Sequence, residues 1–572
     1  MNAHAHRSLK HLLIGRATGA LLGLAVTALL WRSAPASNLG QVLTGLAVLE
    51  IIALISGVGF SGVVQRQVWP WVMAGSSGHA GMGPSSTPTG PLLIGQGLKR
   101  GLAAMLGLRC ALAGLLAAAF WFLAGWAFAA WGEAAGAMAG WRAAPGSSLL
   151  LLTWVVVGTL QRALEELLSA LMMQDTLQGT VVGMQAMRIV ALGCTLALWP
   201  GDGTVWTVER LIALDLCASA LAVVFGLVAL QRRTRVGAVA SPTRADWHRG
   251  WRIGLGFWGV QMMGLGLGVP AMRLLIAQLG GPSLVAVHGA AQALADSLRN
   301  AQPLVLVGGW LRPQMVRLQV QDPSGQAVRH LALGMAKLNT LVLLPLLCVP
   351  VVSAPQVLEW VAGPAIVQEA HRVSLSWPQA PSVAWLLAGL AALAMLQGLH
   401  LLVSMRCAAL ERPRPALLAT VLSLLALPLA VVLWPGLGLW APVLAVAAAE
   451  VLWMTVAWRG ASLGDRTDER PDRRSWGLFA AIGGIGVVTA WIVHALFLEG
   501  VRAWSPAAAA SAAPLGFALQ TLACAGVAWG LLRWMPPLQA AQAQALSEVL
   551  PTWVWRPLLA ARSTPHATGR YA

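Results

Sequence analysis

Four polar side chains recur at helical spacing in the segment SLVAVHGAAQALADSLRNAQPLVLVGGWL: His288, Gln292, Asp296 and Arg299. At helical periodicity they fall on one stripe about 80° wide. Asp296 and Arg299 stand at i,i+3 and can pair. Charges inside an apolar segment are costly unless they face a cavity or a partner. Such a stripe could join helices by hydrogen bonds. Four polar groups on one face exceed what packing requires, so lining a cavity is the favoured reading.

Other charges lie within apolar runs. Arg16 and Glu50 sit in the first two runs, where Arg16 can extend its stem to the interface or attract Glu50. Arg273 follows the Gly/Pro cluster at 264–270, which should bend or break its helix. The run at 148–173 holds Gln161, Arg162, Glu165 and Glu166. Arg162 is spaced to pair with either glutamate, which leaves one acid as a candidate proton carrier. Arg109, Arg188, Glu209, Arg210, Asp215 and Lys337 stand isolated along the sequence, each snorkelling, paired elsewhere or functional. Gln397, His400 and Ser404 share a face and read as interhelical hydrogen bonding.

Arg16, Arg273 and Arg299 together would make a cationic interior, and guanidinium groups suit phosphate. A phosphate site inside a bilayer points to a substrate linked to a lipid diphosphate. The chain contains no GxxxxGK[ST] motif, so energy would come from an ion gradient, the membrane potential or consumption of product. Gly57 to Gly62 form a GxGxxG, but it ends an apolar run, and no acidic residue follows at the spacing of a ribose partner. These glycines fit close helix approach or flexing. Arg66, just beyond, is either a cytoplasmic topology anchor or a first phosphate contact. Six scattered cysteines with no CxxC imply neither a metal site nor a disulfide framework, and no cofactor is expected.

The elements that must position these residues are membrane helices. The 572 residues are 57% hydrophobic and 10% charged, with a mean hydropathy of +0.69. A soluble domain carries about 25% charged residues. About fourteen spans are expected, at 12–31, 41–64, 101–131, 148–173, 178–199, 205–230, 252–277, 283–311, 331–352, 384–405, 416–434, 441–458, 476–497 and 514–534. With both termini cytoplasmic, 26 of the 38 Lys and Arg fall in inside segments and 4 in outside loops. The net charge of +17 is therefore a topology signal, and nucleic acid is not an expected partner. An Ala34–Ala36 cleavage signal competes with retention of the first span, but the apolar run is long for a signal peptide and contains Arg16. The loop at 353–383 is expected outside, and the tail from 536 carries apolar residues at helical spacing that suit the membrane surface.

Two stretches carry a family resemblance. GLAVLEIIALISGVGFSGVVQRQV resembles the second span of polysaccharide flippases in the multidrug/oligosaccharidyl-lipid/polysaccharide exporter superfamily, with a mid-helix acid, a glycine exit and a cytoplasmic arginine. Residues 256–319, with their glycine turn and the exit Pro313 to Leu318, are similar to the seventh and eighth spans of that family. The tyrosine common after that turn is absent, and His288 lies nearby. The resemblance implies an all-α polytopic protein of two pseudosymmetric six-helix lobes, 1–230 and 252–458, joined by a cytoplasmic basic linker at 231–251. It further implies a loop at 459–475, two extra helices at 476–534 and a cytoplasmic tail at 535–572.

By the same resemblance, the function would be translocation of an isoprenoid-diphosphate-linked oligosaccharide across the bacterial inner membrane by alternating access. The phosphates would meet Arg299, Arg273, Arg16 and Arg66, with His288 and Gln292 alongside. Asp296, Glu50, Glu165 and Glu166 would pair with them or couple to protons. Membrane lipids and a polysaccharide polymerase or export machinery are the implied partners. The rival functions are a drug or cation antiporter of the same superfamily, a membrane glycosyltransferase, ligase or polymerase, and a non-transporting scaffold. The first would want an acidic cavity, and the second a larger outside loop.

Overall fold

The computed structural model describes residues 3–64, 92–130, 145–171, 173–198, 206–236, 242–265, 268–322, 324–410, 413–462, 473–499, 506–534, 538 and 540–549. Nearly all of these are helical. In a bilayer no water bonds the backbone, so each segment must satisfy its own N–H and C=O groups.

The helices are α1 Ala3–Ser33, α2 Ala36–Ile55, α3 Phe60–Val63, α4 Gln96–Ala130, α5 Pro145–Ala170, α6 Gln174–Leu198, α7 Val208–Arg233, α8 Arg244–Gly264 and α9 Val269–Asn300. They continue as α10 Pro303–Gln321, α11 Gln326–Ala362, α12 Pro364–Ser374, α13 Leu386–Ala409, α14 Pro413–Ser423, α15 Ala426–Leu437, α16 Trp440–Ser462, α17 Arg473–Val493, α18 Pro506–Trp534 and α19 Ala540–Val549. A parallel pair of three-residue strands, β1 Leu92–Ile94 and β2 Thr234–Val236, is the one sheet among the described residues.

Twelve stretches among the described residues are long and apolar enough to cross a membrane. One of them, Arg244–Asn300, comprises both α8 and α9. Helix α5 is long enough but is not among the twelve; it carries Arg162, Glu165 and Glu166. The protein is a multi-pass, all-α membrane protein.

The chain forms two compact units. The N-terminal unit holds residues 2–290 and 423–428. In it α1 packs along α6, and α5 packs against α2, α4 and α7. Gly59, at φ 78°, brings its backbone against α8: a Cβ on Gly254 would lie 2.6 Å from the Gly59 carbonyl oxygen. The GxGxxG thus serves close backbone approach. Helix α8 starts in a capping box, with Thr243 and Asp246 exchanging side-chain and backbone hydrogen bonds of 3.2 and 2.9 Å. It ends at Gly264 and α9 begins at Val269; residues 266–267 of the Gly/Pro cluster lie outside the described residues.

Helix α9 is itself broken at Gly281, at φ 79° and ψ 178°, where Pro282 cannot donate to the preceding turn. A Cβ on Gly40 of α2 would lie 2.1 Å from the Pro282 oxygen, so the break is fixed by a close backbone approach. The span expected at 283–311 is likewise two helices, since Pro303 restarts the chain as α10 after Gln302.

The C-terminal unit holds residues 291–422 and 429–572. Its hub is α11, which touches α10, α13, α17, α18 and α19. The outside loop expected from residue 353 is helical in its first part: α11 kinks at Ser353, between Pro350 and Pro355, and continues to Ala362, and α12 follows. The tail expected at the membrane surface includes α19, which packs on α11. Leu546 of α19 is fully buried and packs over Gly334 of α11, and Lys337 Nζ donates to Gln542 Oε1 at 2.9 Å.

Candidate functional site

The stripe residues all lie on the unbroken helical segment 282–300, after the Gly281 break. The stripe has a buried end and an open end. His288 and Gln292 are 3% and 5% exposed. The side chains of Arg299 and Asp296 are 41% and 34% exposed. Gln292 Nε2 donates to Asp296 Oδ1 at 3.0 Å. The nearest Arg299–Asp296 approach is 3.8 Å, a charge contact rather than a hydrogen bond. Arg299 Nη1 donates to Gln397 Oε1 of α13 at 3.3 Å. The guanidinium of Arg299 is therefore oriented by a neutral amide and a distant acid, with much of its five-donor capacity left over.

Three arginines of the N-terminal unit, Arg109, Arg162 and Arg188, are committed to carboxylates instead. Arg109 Nη1 donates to Glu166 Oε2 at 2.9 Å, its second Nη reaches the Ala53 carbonyl at 3.3 Å, and its plane lies 5.1 Å from the Phe60 ring centre. Arg162 donates to Glu50 Oε1 at 2.9 Å. Arg188 binds Asp215, which also accepts from Trp154 Nε1 at 2.7 Å. The pairing expected within α5 does not occur: Arg162 and Glu166 each reach another helix, because those bonds also secure α5 to α2 and α4. Glu50 is taken by Arg162 and not by Arg16. Arg109, Arg188, Asp215 and Lys337, isolated in the sequence, have partners far along the chain. Glu165 is the leftover acid, held by the neutral Gln161 Nε2 at 2.9 Å on its own helix.

Arg273 and His288 share the N-terminal unit and lie within electrostatic reach of each other. Arg273 is 8% exposed. Arg273 Nε and His288 Nδ1 are buried without a hydrogen-bond partner among the described residues. Buried polar atoms are rarely left so, and leaving one unsatisfied costs about 1–3 kcal/mol. Arg16 is half-buried on α1, next to Gly15, which lies against Gln178 of α6. Arg66 lies outside the described residues.

In the C-terminal unit the face formed by Gln397 and His400 does make interhelical bonds, through Arg299 and through Glu450 of α16. No group of three or more His, Cys, Asp or Glu able to hold a metal occurs among the described residues.

No family model matches the sequence, and no curated protein sequence matches it. Solved structures do. The Lipid II flippase MurJ in an inward closed conformation aligns over 91% of this chain and 97% of its own, with a TM-score of 0.53 at 9% identity. The chain has the MurJ fold. An inward-facing multidrug resistance MATE family transporter of the MOP superfamily aligns over 80% of this chain and all of its own, at 14% identity and a TM-score of 0.48. MATE in a bent conformation gives 84% and 96% coverage, 14% identity and 0.48. These last two carry no weight for fold or function. At 9% identity the MurJ likeness establishes fold alone, so substrate and activity rest on this chain's own side chains.

Proposed function

We propose that this protein is a flippase of the multidrug/oligosaccharidyl-lipid/polysaccharide exporter superfamily. It moves an isoprenoid-diphosphate-linked oligosaccharide across the bacterial inner membrane by alternating access. The observation that carries the reading is the contrast among arginines. Arg109, Arg162 and Arg188 are each bonded to a carboxylate, whereas among the described residues Arg273 has no ion pair and Arg299 has only Asp296, at 3.8 Å. Guanidinium groups that are not committed to acids are what a diphosphate requires. The MurJ fold supports the same reading, since the protein that carries it in the comparison is named a lipid II flippase.

Arg299 and Arg273 are the principal phosphate ligands in this proposal, with His288, Gln292, Arg16 and Arg66 as further contacts. Asp296, 3.8 Å from the guanidinium, helps to orient Arg299. Glu50 and Glu166 serve structure by holding Arg162 and Arg109. Glu165, hydrogen-bonded to the Gln161 amide, is the acid assigned to proton coupling. The glycan would pass to surface polysaccharide or cell-wall synthesis, where a polymerase or export machinery receives it. The test is a deletion strain examined for lipid-linked glycan retained on the cytoplasmic leaflet. Normal delivery to the outer leaflet would refute the proposal.

A further inference from the structure

The C-terminal unit contains a titratable contact that phosphate binding does not use. His400 Nδ1 of α13 and Glu450 Oε2 of α16 lie 2.5 Å apart. The imidazole stacks on Trp453 of α16, with ring centres 3.7 Å apart and planes 14° from parallel. Trp453, 2% exposed, is fixed in turn by its indole N–H, which donates to Thr420 Oγ1 at 2.9 Å. Glu450 is 9% exposed. The carboxylate at its ring nitrogen and the indole against its face hold the imidazole between α13 and α16. Histidine is also the side chain whose ordinary titration falls near neutral pH.

The surroundings single out this acid. The charged residues on the elements packed against α13 are Arg312 and Arg317 of α10, Arg329, His330, Lys337 and Glu359 of α11, and Arg459 of α16. Lys337 is bonded to Gln542, and Arg406 on α13 itself lies 4.2 Å from the Trp458 ring centre. Glu450 is the carboxylate in hydrogen-bond contact with the ring. Gln397, the amide that holds Arg299, precedes His400 by one helical turn on the same face.

We infer that the His400–Glu450 pair is a proton-binding site that links α13 to α16 and thereby sets the position of the Gln397 amide at Arg299. With the proton present, the two helices are joined by an imidazolium–carboxylate pair capped by an indole. When it leaves, a neutral ring faces the acid and the attraction between the helices falls to a single hydrogen bond. A shift of α13 moves Gln397 with it and changes how Arg299 is oriented. Proton binding stands on this geometry alone. Its use in driving translocation rests on the transport reading above.

The experiment uses the full-length protein in lipid nanodiscs and records infrared difference spectra between about pH 5 and pH 8. The wild type should show carboxyl and imidazole difference bands that Glu450→Gln removes and His400→Gln changes. Trp453→Phe, which keeps an aromatic face, should retain them. Thermal unfolding of each variant shows that the fold persists, and retention by Trp453→Phe guards against a general loss of structure. Unchanged bands in Glu450→Gln would overturn the proton site. The second arm imposes a pH gradient on vesicles carrying lipid-linked glycan. Loss of the gradient response in Glu450→Gln supports coupling. A response equal to wild type, with the bands lost, overturns coupling while leaving the site. Intact bands with no translocation by the wild type would refute the transport reading and not the proton site.

Discussion

Arg162 of α5 donates to Glu50 of α2 across 2.9 Å, passing over the two glutamates that follow it on its own helix. The choice shows how this protein spends its membrane charges. An intrahelical pair would neutralise Arg162 and hold nothing together, whereas the bond to α2 neutralises it and fixes two helices. Arg109–Glu166 and Arg188–Asp215 repeat the pattern. Those that remain outside it, Arg299, Arg273 and Glu165, are the residues to which the proposed function assigns phosphate and proton.

The structural pairs should differ in worth with their burial. The side chain of Arg109 is 5% exposed and that of Arg162 is 38% exposed. Arg109→Leu strands Glu166 and should cost about 3 kcal/mol of stability. Arg162→Leu, at a half-open site, should cost about 1 kcal/mol. Thermal unfolding of the two purified variants checks the order, and equal losses would contradict it.

Close backbone approach predicts a sharp contrast between two glycines of α8. A methyl group on Gly254 meets the Gly59 carbonyl, whereas one on Gly256 meets nothing within 4 Å. Gly254→Ala should destabilise by about 2 kcal/mol or more through overpacking. Gly256→Ala should be neutral or slightly stabilising through helix propensity. Unfolding midpoints decide it.

The turn between α10 and α11 gives a pH prediction outside the membrane. Asp322 accepts from the Ser324 hydroxyl at 2.5 Å and from the backbone N–H groups of Ser324 and Ala327 at 3.1 and 2.9 Å. The Ser324 hydroxyl, then the Ala327 N–H, hold its carboxyl below the usual carboxylate range. A folded-state value below the unfolded one means the contribution is complete above the unfolded value near 3.8 and is lost as pH falls through the folded one. Asp322→Ala should cost about 1 kcal/mol at neutral pH, as for a lost cap, and less in strong acid. Stability measured against pH in both proteins checks the sign.

Docking of α19 predicts that the tail is part of the C-terminal unit. Removing residues 540–572 takes the Gln542 hydrogen bond from Lys337, which is 6% exposed, and uncovers the surface under Leu546, which should lower stability by about 2 kcal/mol. Lys337→Met in the truncated protein should recover part of that loss. Truncation without effect would mean the docked helix carries no weight.

Much of this was legible in the sequence, and the rest was hidden for a physical reason. Period and hydropathy gave the helices and the stripe from His288 to Arg299. They do so because burial in lipid imposes one pattern on every span. Partners were not legible, since Arg109 and Glu166 lie 57 residues apart and His400 and Glu450 lie 50 apart. Spacing reports neighbours on one helix and is silent on which helices meet. The helix beyond the Ser353 kink falls where a loop was expected at 353–383, and buried Leu358, Val361 and Ala362 hold it in place.

Arg299 carries the central claim, and charge reversal there is its most direct test. Arg299→Glu should accumulate normally in the membrane yet leave the isoprenoid-diphosphate-linked glycan on the cytoplasmic leaflet, matching the deletion strain. The measurement is the fraction of that lipid exposed on the outer leaflet, read in the variant beside wild type. Outer-leaflet exposure equal to wild type would remove Arg299 from the site and contradict the account.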